Sequence, residues 1–525
     1  MTPAVLAVDQ GTSGTKALVV CPERGVLGTG SAPVRPRYLP GGRVEADPRE
    51  LHESVVAAGR AALADAGAAA GSVAAVGLAN QGETVLAWDP ATGEPLTDAL
   101  VWQDRRAEPL CAELVEYSEE LLKLTGLPLD PYFAAPKMAW IRRHLTREGV
   151  VTTTDAWLVH RLTGAFVTDA STAGRTQLLD LDSLSWSDAA LDVFGLLGER
   201  LPLIVDADAP VGTTTAFGPP LPLTGLLVDQ QAALLAQRVT EPGTAKCTYG
   251  TGAFLLAQTG PLPRRSTSGL VSCVAWRLGG RTSYCLDGQV YTAASAVRWL
   301  TDLGVLPGGA ADLDVVGESV PDSGGVTFVP ALAGLAAPWW RGDLRGSLTG
   351  LGLDTGPGHL VRALCEGLAA QVAELADAAA GDLGRPLEVL RADGGLTRSA
   401  LLMQTQADLL QLPVEVSALP DVTALGVAAA AQMGLDPGLR TADAVPRIGP
   451  SAVYEPRITA AEAAERRGRF RTAVEKLLDR APVAGAPVGG APVAGAPVAG
   501  ASLDGAPPDG ARPDRARLDG AGAAG

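Results

Sequence analysis

Short apolar runs that end in bursts of polar residues recur along this chain and set its element pattern. The first is Val5-Leu6-Ala7-Val8, which meets Asp9-Gln10-Gly11-Thr12-Ser13-Gly14-Thr15-Lys16 before Ala17-Leu18-Val19-Val20 resumes. Two apolar runs around a Gly/Thr/Ser turn predict a strand pair joined by a tight polar loop. Residues 44–71 read as helical, opened by an Asp47-Pro48 cap. A buried strand over 73–79 runs into Asn80-Gln81-Gly82-Glu83-Thr84, and a second strand covers 85–88. The run 99–101 delivers Trp102-Gln103-Asp104-Arg105-Arg106, and Asp130-Pro131-Tyr132-Phe133 turns into a helix. Residues 150–205 mix short helices with polar turns. Leu226-Leu227-Val228 then ends in Asp229-Gln230-Gln231 ahead of an Ala-rich helix. Aspartate at such a junction is a helix N-cap or a catalytic base, and the two roles are compatible.

After Gln237 the pattern restarts. Residues 244–256 repeat the opening formula of strand, Gly/Thr loop and strand, without the acidic residue. This echo predicts two related domains with a boundary near residue 240, each turning one hairpin toward a shared cleft. A helix over 291–303 follows, then a Gly/Pro-rich stretch over 330–350 in which Trp339 and Trp340 read as packing residues. Val361, Leu364, Leu368, Val372 and Leu375 fall at helical spacing. A strand over 387–390 precedes Gly394-Gly395, a small-residue helix over 422–431 suits close packing, and 459–480 reads as a charged surface helix. From residue 481 an Ala-Pro-Val-Ala-Gly unit recurs with one change in four successive copies, followed by Gly/Pro/Asp-rich text. Regular proline and little apolar bulk predict a disordered tail over 481–525.

Composition narrows the partners. A chain of 525 residues with 47% hydrophobic content needs more than one core. Its net charge of −16 counts against a general binder of nucleic acid or acidic membranes, so any anion must be held by local groups. The six cysteines are scattered without metal-ligand spacing, which fits a reducing cytoplasm. No leader and no membrane-length apolar run is evident, so the expectation is a cytoplasmic protein with no stable membrane association; self-association stays open. Within that frame the polar bursts carry the chemistry. The Gly11–Gly14 loop offers backbone N–H groups and Lys16 a positive charge for phosphate, and Asp9 sits at a strand end suited to magnesium. Two phosphate-facing loops, an acidic base candidate and a glycine pair together describe ATP-dependent phosphoryl transfer across an interdomain cleft.

Seven segments now converge: DQGTSGTKA, NQGET, VWQDRR, DPYFAAPKMAWI, DQQAALLAQ, TYGTGAF and DGGLTRSALLMQTQADLL. On these the chain resembles the FGGY carbohydrate kinases, and among them the glycerol kinases, over residues 4–435. The resemblance implies an α/β fold of two actin-like ATPase (ribonuclease H-like) domains, residues 1–240 and 241–480. It also implies ATP and Mg2+ as cofactors, a small polyol or sugar as acceptor, and phosphorylation of glycerol to glycerol 3-phosphate. By position it assigns Thr12, Ser13, Gly14, Lys16, Thr251, Ala294, Arg298, Gly395 and Ser399 to ATP. Glu83, Trp102, Tyr132, Asp229, Gln230 and Phe254 fall to the polyol, with Asp229 as general base and Asp9 at the magnesium.

Three departures stand out. Gly82 occupies the place of an arginine in glycerol kinases, Lys16 replaces arginine and Ser399 replaces asparagine. Losing the arginine donors at position 82 is worth about 1.5–3 kcal/mol if nothing substitutes. Gly82 is expected to free volume for a longer polyol or a sugar, and Arg105 or Arg106 are the candidates to replace the lost guanidinium. The alternatives are therefore a kinase for a tetritol, pentitol or ketose and, less favoured with Asp229 and the phosphate loop intact, a catalytically silent sugar-binding regulator.

Overall fold

A computed structural model of the chain describes residues 3–419, 421–445 and 449–479. The expected disordered tail over 481–525 lies outside the described residues. The opening strand pair forms as its pattern predicts: β1 (Ala4–Gln10) and β2 (Gly14–Cys21) are antiparallel around the Gly11–Ser13 turn. They join β3 (Gly25–Pro33), β4 (Val73–Asn80), β5 (Gly212–Thr214) and β6 (Leu221–Val228) in a sheet of order β5-β6-β4-β1-β2-β3. The restart after residue 240 builds a second sheet from β7 (Thr244–Tyr249), β8 (Ala253–Gly260), β9 (Val271–Leu278), β10 (Arg281–Val290), β11 (Val389–Asp393), β12 (Val414–Val416) and β13 (Ala452–Tyr454). Its order is β9-β10-β8-β7-β11-β12-β13. In both sheets a hairpin runs into strands that are parallel to its first member, β4 beside β1 and β11 beside β7.

Helices close both faces. The helix α1 (Pro48–Ala66), capped by the Asp47 carboxylate on the Arg49 N–H, buries Leu51, Val55, Ala58 and Ala62 against the outer face of the first sheet. Helices α2 (Ala134–His144) and α3 (Asp229–Ala236) leave the Tyr132 turn and the end of β6. On the second sheet the helix α4 (Ala294–Asp302) and the long helix α5 (Pro357–Leu383) pack their apolar stripes, Val361, Leu364, Leu368, Val372 and Leu375 among them, with α6 (Ala400–Leu410) alongside. The small-residue helix α7 (Val422–Leu435) falls between β12 and β13 of the second sheet in sequence yet lies on the first, in one core cluster with Val5, Ala7, Ala75 and Leu227. Its close approach depends on small residues: a Cβ on Gly77 of β4 would come within 2.7 Å of the Val427 carbonyl. That same cluster includes Leu256, Val271 and Cys273 of the second sheet, so a continuous core joins the halves.

The helix α8 (Ala460–Leu478) is less of a surface helix than its charge suggests. It buries Phe470, Val474 and Leu477, and Phe470 packs on Trp339, which is a packing residue as expected. All six cysteines are buried, and none forms a disulfide. Among the described residues no helix is long and apolar enough to cross a membrane.

Candidate active site

The site grows from strand ends. Strands β1, β4 and β6 are parallel neighbours in register, with Asp9 beside Ala79 and Ala79 beside Leu227. Their carboxyl ends therefore release three polar bursts side by side: Asp9 with the 11–14 turn, Gln81–Thr84, and Asp229. Carboxyl ends of parallel strands are where open α/β sheets bind ligands, because the chain there turns away and leaves a crevice. Side chains tie the bursts together. The Gln81 N–H donates to the Gln10 carbonyl at 2.9 Å, the Thr12 hydroxyl to Gln81 Oε1 at 3.2 Å, and Trp102 Nε1 to Thr12 Oγ1 at 2.8 Å. The polyol wall expected from Trp102 is thus hydrogen-bonded to the expected phosphate loop.

Around Trp102 an aromatic box forms, with Tyr132 edge-on at 5.7 Å and Phe254 of β8 edge-on at 6.1 Å. The buried Lys137 ammonium donates to the carbonyls of Pro131, Tyr132 and Phe133 at 2.8, 2.6 and 2.6 Å and so fixes the turn that carries Tyr132. Glu83 is 4% exposed and sits in the left-handed region, φ 59°, a strained conformation for a residue with a Cβ and one that clusters at functional sites. Its carboxylate accepts from Arg175 Nε at 2.6 Å. Gln230 Oε1 accepts from the buried Lys246 ammonium at 2.5 Å, and Lys246 also donates to Thr248 Oγ1 at 2.9 Å. Thr248 donates in turn to Asp393 at 3.1 Å, which Gln237 also contacts, so the two sheets share one polar network.

Charge crowding tunes the carboxylates. Burial, then the neighbouring Glu83 charge, pushes Asp229 up to about 6. Burial, then the Asp229 charge, pushes Asp9 up to about 8, against the opposing pull of Lys16. A half-buried carboxylate whose proton affinity is raised by burial and by a second carboxylate beside it suits a cation between that pair and the phosphates. Among the described residues no group of three His, Cys, Asp or Glu could hold a metal alone. The donor set fits magnesium, which takes one or two carboxylates and fills its remaining positions with water and phosphate oxygens.

The second sheet repeats the topology. Strands β7 and β11 are parallel neighbours with Thr248 beside Asp393, so the 250–252 and 394–395 loops leave side by side. The α4 amino end rests on the first of these: the Ala293 N–H donates to the Thr251 carbonyl at 2.8 Å and the Ala294 N–H to the Gly250 carbonyl at 3.1 Å. Thr251, Gly395 and Arg298 are exposed, whereas Ser399 is buried. The Ser399 hydroxyl caps α6 at Leu402 N (3.1 Å) and donates to Asp314 at 2.5 Å, so it is already committed. Lys16, 58% exposed, pairs with Asp421 at 2.5 Å.

Two expectations about position 82 change. A Cβ built on Gly82 would lie 2.9 Å from Val228 Cγ2, so a stiff β-branched side chain borders the space that the missing arginine would enter. Arg106 is held by Asp104 and Glu45 at 2.8 Å each, and Arg105 by Glu108 at 3.1 Å and Asp130 at 3.6 Å, so neither stands in for it. The guanidinium beside Glu83 and Tyr132 belongs to Arg175 instead. Arg175, Lys246 and Asp287 carry no motif, but a charge inside an apolar strand, as at Lys246 and Asp287, signals a buried partner.

Comparison with known proteins finds matches over most of the chain. Residues 4–236 match the N-terminal domain, and residues 245–435 the C-terminal domain, of the FGGY family of carbohydrate kinases. A glycerol kinase from Alkalilimnicola ehrlichii is 42% identical over 90% of this chain and 98% of its own. One from Methylorubrum populi is 44% identical over 82% of this chain and 89% of its own. Among solved structures, Plasmodium falciparum glycerol kinase with ADP superposes with a TM-score of 0.82 at 30% identity, covering 91% of this chain and 99% of that one.

Proposed function

The chain belongs to the FGGY family of carbohydrate kinases, and from that premise we propose that it transfers the γ-phosphoryl group of ATP to a terminal hydroxyl of glycerol. The observation that carries this reading is the convergence of Asp9, Glu83 and Asp229 at three adjacent strand ends beside the Trp102–Tyr132–Phe254 box. Asp229 takes the proton of the attacking hydroxyl as its bond to phosphorus forms. A base whose affinity for a proton lies just below neutrality is poised for that task. Glu83, Tyr132 and Gln230 hold the remaining hydroxyls, and the aromatic box covers the carbon chain. Thr12, Ser13, Gly14 and Lys16 bind phosphate from one side and Thr251 from the other, Lys16 exchanging Asp421 for the nucleotide. Ala294, Arg298, Gly395 and Ser399 border the nucleoside. Asp9, with Asp229 nearby, would hold magnesium, which neutralises phosphate charge when bound.

In this scheme residues 1–240 and 241–480 act as two domains about the cleft, and buried cysteines that form no disulfide fit a cytoplasmic enzyme. A second reading, an acceptor of four to six carbons, is favoured by Gly82, which contributes no side chain to the pocket. The test is ADP release from the purified full chain with ATP and magnesium against three- to six-carbon polyols and ketoses. The highest kcat/KM for glycerol is expected. Preference for a longer acceptor would move the assignment to the second reading, and no response to any of them would overturn both.

A further inference from the structure

Gly82 offers the pocket no donor, yet a guanidinium is present there. Arg175 follows the short helix Ala170–Ala173, whose backbone is fixed twice. Asp169 accepts from the Ser171 and Thr172 N–H groups at 2.7 and 3.1 Å. The Ser171 hydroxyl accepts from the Val228 N–H at 3.1 Å, which ties this segment to the strand end that carries Asp229. From that position Arg175, 3% exposed, reaches the Cys273 thiol at 3.7 Å and three oxygen acceptors. Its Nε donates to Glu83 at 2.6 Å, its Nη1 to Asp287 of β10 at 2.7 Å, and its Nη2 lies 3.4 Å from the Tyr132 hydroxyl. The guanidinium plane also stands 5.7 Å from the Tyr132 ring and 5.5 Å from that of Phe133.

We infer that Arg175 is the positioning residue of the acceptor pocket: it aims the Glu83 carboxylate and the Tyr132 hydroxyl at the polyol, and Asp287 holds it there. The inference rests on the acceptor-kinase reading of the same site. Three features separate it from an ordinary buried ion pair. Both groups that Arg175 orients on the pocket side, Glu83 and Tyr132, are polyol candidates on independent grounds. Glu83 has a left-handed backbone, so its side-chain direction depends on an external hold. The planar fork of arginine can bond two carboxylates in fixed directions at once, which a lysine ammonium does not reproduce. Asp287 comes from the second sheet and Glu83 from the loop after β4, so acceptor affinity becomes linked to the fit of the two halves.

The test uses the full chain and compares Arg175→Lys and Asp287→Asn with the parent enzyme. Each is titrated in glycerol and in a four-carbon polyol at saturating ATP, and in ATP at saturating acceptor. Arg175→Lys keeps the charge and loses the fork, so acceptor KM should rise by about tenfold or more while ATP KM stays within about twofold. Asp287→Asn leaves Arg175 and Glu83 in place and should raise acceptor KM by a smaller factor with ATP KM again unchanged. An unchanged acceptor KM in both, or an equal rise in acceptor and ATP KM, would overturn the inference in favour of a purely structural ion pair. If Arg175→Lys does not fold, Asp287→Asn decides by the same comparison. An active parent with unmoved acceptor KM in the variants sinks only the Arg175 role, whereas an inactive parent sinks the functional reading beneath it.

Discussion

The two sheets present the same topological address, the carboxyl ends of parallel strands beside a hairpin, and fill it with opposite chemistry. At the end of the first sheet stand the carboxyl side chains Asp9, Glu83 and Asp229, whose proton affinities are raised by burial and, for Asp9 and Asp229, by a neighbouring carboxylate. At the end of the second stand the backbone of 250–252 and the Gly394–Gly395 pair, with the nearest carboxylate, Asp393, bonded to Thr248 and Gln237. A side-chain cluster discriminates among acceptors and moves protons. A backbone cradle approaches an anion closely and carries no charge to titrate. The first end should therefore fail when a side chain is removed, and the second when a Cβ is added.

The largest effect is expected from Asp229→Asn, which keeps the shape and removes the base. Its kcat should fall by about 10²–10⁴-fold while ATP affinity, read by calorimetry, stays as in the parent. A matching loss of ATP affinity would break the separation between the two ends. Next comes Gly394→Ala. Its φ is 98° and a Cβ would meet the Tyr249 carbonyl at 2.4 Å, so strain of about 1–3 kcal/mol should lower Tm and weaken ATP binding, with acceptor KM unmoved. Gly395→Ala, with nothing within 4 Å of the added carbon, should leave Tm as in the parent, which separates backbone strain at 394 from the effect of an added methyl on the nucleotide.

The pH dependence sharpens the contrast. Only the ionised form of Asp229 accepts a proton, and burial raises its titration to about 6, so that form is lost as pH falls through 6. At saturating ATP and magnesium, where a bound cation would keep Asp9 ionised, acceptor kcat/KM should be flat above about pH 7 and drop about tenfold per unit on the acid side. A flat profile down to pH 5 would remove Asp229 from the proton path. The smallest effect concerns Gly82→Arg. Alone it should improve glycerol KM by less than about threefold, because Val228 Cγ2 lies 2.9 Å from the new Cβ; adding Val228→Ala should release the gain of one charged hydrogen bond. A large gain from Gly82→Arg alone would mean that Val228 yields freely.

What could be read from the sequence follows from what is local. The strand–turn–strand pairs at 5–20 and 244–256 and the apolar stripe of α5 are written in short-range periodicity, and the structure has them in place. The partners of charged residues are not local. Arg175 lies in a segment of short helices and turns with no periodic signal, and meets Glu83 and Asp287 only through tertiary folding. Asp287 sits among Cys285, Leu286 and Val290 on a buried strand, where an isolated carboxylate demands a cation but does not say which. The location of α7 on the first sheet is likewise invisible in its Ala-rich sequence, which permits close packing on any surface with room for it.

The most direct measurement follows phosphorus. Purified full chain with ATP, magnesium and glycerol, monitored by phosphorus NMR, should convert ATP to ADP and a phosphomonoester in equal amounts, and Asp229→Asn should form neither at a comparable rate. ADP accompanied only by inorganic phosphate, or a phosphomonoester formed as fast by Asp229→Asn as by the parent, would contradict proton transfer from an alcohol to Asp229 at the end of β6.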